Sequence, residues 1–123
     1  MFLLIGLILN GNGKGEKIMY KDLMPIGSVV LLKGGEKRLM ICSRVVVNAA
    51  ENTIYDYAAC LYPEGIVDSS NLYFFNHDAI DEIYFIGFQD REEMDFRAKV
   101  LSELDGKELD IQNGQIVLKK GME

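Results

Sequence analysis

The sequence predicts an α+β fold: a small antiparallel sheet, curled or closed into an SH3-like barrel, with one packed C-terminal helix and a terminal β-hairpin. Three observations predict it. Pro25 to Ile41 reads as two apolar strand-length runs joined at Gly34-Gly35, Gln89 to Leu104 carries a helical repeat, and Asn113-Gly114 separates two short β-type runs. A length of 123 residues suits one domain with a modest core.

The first hairpin organises the rest. A Gly-Gly pair tolerates positive φ at both centres of a two-residue primed turn, whose twist matches the flanking strands. That register sets Lys33 opposite Glu36, Leu32 opposite Lys37, Leu31 opposite Arg38, Val30 opposite Leu39 and Val29 opposite Met40. Apolar residues then lie on both faces, so the hairpin is either covered on both sides or curled into a barrel. Pro25 cannot donate to a ladder and belongs at the mouth of the first strand.

Upstream, Met1 to Asn10 is apolar but too short to span a bilayer, which takes about 20 residues. It also lacks the basic start and small-residue cleavage site of a secretory signal. Gly11 to Lys17 is a polar linker, and Lys14 to Met19 back-translates to a purine-rich run of the kind that precedes bacterial start codons. Met19 is therefore expected as the natural start, with residues 1–18 a leader from an over-extended reading frame and 19–123 the single domain.

Downstream, Ile41 to Val47 continues the second strand and Asn48 to Asn52 is turn-forming. Thr53 to Tyr62 should be the third strand, with Tyr55, Tyr57, Ala59 and Leu61 on one face. Tyr62-Pro63-Glu64-Gly65 suits a type I turn, and Asp68 to Asn71 a loop. Leu72 to Phe88 is the most aromatic stretch: Asn76 can cap a short turn from His77 to Ile80, and Glu82 to Phe88 reads as a strand. In the helix, Asp90 with Glu93 follows capping-box spacing and Gly106 provides the stop. Phe96, Val100 and Leu104 recur every four residues beside Leu101, which predicts a buried apolar stripe. In the tail, an Asn113-Gly114 type I′ turn aligns Leu109 with Leu118 and Ile111 with Ile116. A two-stranded ribbon is marginal alone, so that face must dock, on the chain's own body in the first instance.

No catalytic constellation, metal set, phosphate loop or cofactor motif is present in the sequence, and no enzyme activity is expected from it. His77 is the single histidine; with no nucleophile or second ligand in evidence it reads as a surface or cap-side residue. An enzyme built from His77, Asp78 and nearby tyrosines is the third-ranked possibility. Glu92-Glu93 reads as electrostatic capping of the helix, and Gly34-Gly35 as a turn, since no helix start follows it. Cys42 and Cys60, in strand-like runs without C-x-x-C spacing, are expected reduced. A net charge of -6 with no basic cluster longer than Lys119-Lys120 argues against nucleic acid as partner. The aromatic residues exceed what one small core readily hides, which leaves room for a protein-contact surface around Tyr62, Pro63, Tyr73 and Phe75.

The stretches PIGSVVLLKGGEKRLMI, YDYAACLYPEG and YFFNHDAIDEIYFIGFQDREE closely resemble a small family of uncharacterised Firmicutes proteins associated with type VII secretion and LXG toxin loci. The resemblance runs from about Leu23 to Leu104, and members typically begin just before the PIGS motif, as a start at Met19 would give. It implies a cytoplasmic accessory protein, an adaptor or chaperone, whose partner is a secreted toxin or its targeting factor. An immunity protein that neutralises a cognate toxin is the alternative. The family has no established catalytic residues to carry over.

Overall fold

The computed structural model describes residues 17–119, so the expectation for the leader lies, apart from Lys17 and Ile18, outside the described residues. A 3-10 turn, Tyr20–Asp22, precedes β1 (Val29–Leu32), β2 (Leu39–Asn48) and β3 (Thr53–Leu61). After a 3-10 turn at Ser69–Asn71 come β4 (Tyr73–Phe75), a third such turn (His77–Ala79) and β5 (Ile80–Phe85). Helix α1 runs from Arg91 to Leu104, and β6 (Leu109–Gln112) and β7 (Gln115–Leu118) close the described chain. The five-stranded sheet has the order β4-β3-β2-β1-β5, and β6-β7 form a separate ribbon.

β1 and β2 meet in the expected register, Val29 opposite Met40 and Val30 opposite Leu39. Their connection differs from a primed Gly-Gly turn. The Gly35 amide donates to the Leu32 carbonyl at 2.9 Å, and positive φ is needed at Gly34 alone, so the chain turns early and Gly35 to Arg38 become a loop. Leu31 and Leu32 instead extend the ladder with β5, opposite Glu82 and Ile80. At the end of β3 the Gly65 amide reaches back to the Leu61 carbonyl at 2.8 Å, a wider turn than type I, and Tyr62-Pro63 is cis.

The sheet is curled but open. A flat five-stranded sheet would hold its outer strands about 19 Å apart. The five steps from Phe75 to Ile80 reach about 18 Å when fully extended, and residues 77–79 are coiled. The edges must bend toward each other, yet β4 and β5 do not pair, so the barrel alternative is not realised.

Curling makes an inner face. Val30, Leu39, Ile41, Tyr57, Ala59 and Phe75 line it, and Tyr20, Leu23, Met24 and Leu101 pack over them. The terminal ribbon has the expected register, Leu109 opposite Leu118 and Ile111 opposite Ile116, with positive φ at Asn113 and Gly114. Leu109 packs against this core, so the ribbon docks on the chain's own body.

Helix α1 begins as expected, with the Asp90 carboxylate accepting the Glu93 amide at 2.9 Å. Residues Arg97–Leu101 form a π-turn between the α-helical segments Arg91–Phe96 and Ser102–Leu104. The predicted stripe is only half buried: Leu101 sits in the core and Leu104 at its margin, while Phe96 and Val100 are exposed. The reason is electrostatic. Glu93 and Arg97 face the sheet, where the Glu93 carboxylate takes both arms of the Arg44 guanidinium at 2.8 and 2.9 Å and Arg97 at 2.7 Å. Arg97 also donates to the Lys21 and Leu23 carbonyls at 2.6 and 2.7 Å. These charged side chains are largely buried, so Glu93 ties the helix to the sheet as well as adding charge at its first turn.

Candidate protein-interaction surface

Residues opposite one another in a ladder share a face, so the register maps the side of the sheet turned away from the core. Val29, Met40 and Cys60 lie on it, as do Ala58 with Phe74 and Leu31 with Glu82. Arg38 and Tyr62 continue that face one step beyond, joined by the Tyr62 amide donating to the Arg38 carbonyl. The residues from outside the sheet that belong to the core cluster, Tyr20, Leu23, Met24 and Leu101, cover the inner face together with Leu104 and Leu109. The first hairpin therefore does have two apolar sides, and on the outer one Val29, Ala58 and Cys60 are buried too.

A β-bulge shapes the outer face at β5. Val29 pairs with Phe85 and Val30 with Ile83, leaving Tyr84 as the extra residue. Its hydroxyl donates to Glu82 Oε1 at 2.8 Å, and the Arg38 guanidinium lies 4.2 Å from its ring centroid. Tyr84 and Phe85 are 47% and 59% exposed, and Phe88 just beyond is 78% exposed. Gly87 brings the backbone close, since a Cβ there would meet the Ile26 carbonyl oxygen at 2.1 Å. Ile26, itself exposed, therefore has its backbone close against Gly87, next in sequence to Phe88.

The four residues anticipated as a contact surface do not stay together. Tyr62 and Pro63 are exposed, and Tyr62 belongs to the outer face. Tyr73 is also exposed but, opposite Ala59, lies on the inner side at the β4 edge. Phe75 is a correction: it is 4% exposed and its ring stands 5.4 Å from that of Tyr57, within the core. Strand alternation separates Phe75 from Phe74 and sends the former inward. Tyr84, Phe85 and Phe88 were visible as aromatics, but the bulge that brings Phe85 to the same face as Tyr84 depends on pairing with β1 and leaves no local signature.

His77 is half-buried and joined to the core. Its Nδ1 lies 2.7 Å from the Tyr57 hydroxyl, whose oxygen accepts the Met24 amide at 2.8 Å. A hydroxyl proton donated to Nδ1 of a neutral imidazole satisfies all three groups. Burial lowers the His77 pKa to about 4 and raises that of Tyr57 above the ordinary phenol range, so both are neutral at pH 7. Capping is exchanged here: Asn76 Oδ1 accepts the Asp56 amide at 2.9 Å, and Asp56 Oδ2 accepts the His77 amide at 2.8 Å. Burial raises the Asp56 pKa, with the His77 amide pulling the other way. With Nδ1 already engaged by Tyr57, this cluster braces β3 against the 3-10 turn and the Met24 segment. Among the described residues no three His, Cys, Asp or Glu side chains gather to hold a metal ion. Cys42 and Cys60 are free thiols, as expected, and no described helix is long and apolar enough to cross a membrane.

Residues 23–96 match a family described as a domain of unknown function, DUF4176. The chain belongs to that family. The match spans the whole curled sheet and the start of α1, so the outer face and β5 lie within the DUF4176 region while the terminal ribbon lies beyond it. No curated protein and no solved structure matches the chain.

Proposed function

We propose that this DUF4176 protein is a non-enzymatic accessory protein of the cytoplasm, an adaptor or chaperone that binds a type VII secreted toxin or its targeting factor. The observation that carries the binding reading is the margin of the outer face, where Tyr62, Tyr84 and Phe85 stand exposed while Val29, Ala58 and Cys60 at its centre are buried. Aromatic side chains with polar tips suit protein contacts because they bring large apolar area at little conformational cost. The partner class comes from the resemblance of the PIGSVVLLKGG, YPEG and FFNH motifs to proteins of LXG toxin loci.

Co-expression with the products of the adjacent reading frames tests it. The expected result is a stable complex that co-elutes in size exclusion; a chain that elutes alone beside every neighbour contradicts the proposal. The net charge of -6 favours the immunity alternative, because an acidic protein can occupy a phosphate-binding active site. Cells expressing the cognate toxin separate the two: an adaptor leaves them sensitive, an immunity protein protects them.

A further inference from the structure

The β5 edge carries a chemistry that narrows what the partner presents. Among the described residues no strand pairs with its outer side, which leaves backbone groups open to an added strand. Asp78, Asp81 and Glu82 are exposed along this stretch, and none stands in an ion pair among the described residues. Arg38, a cation on the adjoining face, lies over the Tyr84 ring, and exposed Lys33, whose amide donates to the Ala79 carbonyl, is in no ion pair among the described residues. Charge alone would be the usual guard against edge-to-edge association. A guarded edge, however, does not also end in two phenylalanines as exposed as Phe85 and Phe88.

The geometry points to an extended, lysine- or arginine-bearing segment of a partner protein, added as a strand beside β5. Its cations meet Asp78, Asp81 and Glu82, and its apolar side chains meet Phe85 and Phe88. A second copy of this chain fits poorly. Two antiparallel β5 strands related by a dyad at Glu82 would set the two Glu82 carboxylates directly opposite each other, and like charges there repel. This inference rests on the binding reading above and adds the charge and conformation of the bound segment.

Fluorescence anisotropy with the full chain tests it. The probe is an end-blocked, labelled eight-residue peptide alternating valine with lysine, and the control replaces lysine with glutamate. The lysine peptide is expected to bind at least about tenfold more tightly, with affinity falling as salt rises. The double substitution Asp81→Lys and Glu82→Lys should reverse the preference, and Phe85→Ser should weaken both peptides, each with an unchanged circular dichroism spectrum. Equal affinities, or a preference that survives the double substitution, would overturn the inference. So would a dimer of the unmodified chain that Phe85→Ser dissolves, since a second copy would then own the edge. A neighbouring gene product captured undiminished by the doubly substituted protein removes this inference and leaves the binding reading intact. Selective peptide binding with no captured product does the reverse.

Discussion

The two ends of the local-to-distant range meet at residue scale. Asp90 finding the Glu93 amide and Asn113-Gly114 turning a hairpin are short-range chemistry, legible in the chain. Asp56 capping His77 and Arg44 gripping Glu93 join residues 21 and 49 positions apart, and no local pattern announces them. Removing the Tyr57 hydroxyl in Tyr57→Phe strands the buried Met24 amide and should cost about 1–3 kcal/mol in denaturant unfolding. His77 gives stability a pH dependence. Its folded pKa of about 4 lies below its ordinary 6.5, so the unfolded chain binds the extra proton: stability is full above pH 6.5 and falls as pH drops through about 4. The loss is at most about 3 kcal/mol. Asp56, raised by burial, works in the opposite sense, favouring the fold at low pH and losing that contribution as it ionises. Tyr57 stays neutral throughout, and the nearby Asp78 favours protonated His77. Urea midpoints compared at pH 7.5 and 4.5 should therefore fall for the unmodified protein and flatten in His77→Gln.

At the scale of elements, the helix separates what periodicity can and cannot tell. The spacing of Phe96, Val100 and Leu104 marks an apolar stripe, but it does not say that an ion cluster will take the place facing the sheet. Single substitutions resolve the two orientations. Val100→Asp should change the unfolding free energy by less than about 0.5 kcal/mol, as for other exposed positions, whereas Leu101→Ala should cost about 2–5 kcal/mol. Arg44→Ala leaves Glu93 largely buried beside Arg97 alone, and a loss of about 2–3 kcal/mol is expected. The Arg44 guanidinium holds the Glu93 carboxyl below its usual range, so that pair contributes above the carboxylate range and fades as acid protonates it. Gly87 shows a tight approach between segments: a methyl at this position would collide with the Ile26 carbonyl, and Gly87→Ala should cost about 1–3 kcal/mol by thermal unfolding.

For the whole molecule, two apolar sides on the first hairpin were legible from Val29 to Met40, and so was its register. How the chain would use them was not. Holding β4 and β5 at opposite edges of the sheet while so few residues link them forces the curl, and the curl sends one side to the core and leaves Tyr62, Tyr84 and Phe85 exposed on the other. Tyr62 went to the outer side and Phe75 to the inner one because of strand parity, which any shift in register would have reversed. A protein partner bound at β5 would slow exchange of the backbone amides there. Hydrogen–deuterium exchange of the complex against the free chain measures this directly. Slowed exchange in residues 80–88, with the helix at residues 91–104 unchanged, is the predicted result. Protection confined to the helix, with β5 exchanging as fast as before, would contradict it.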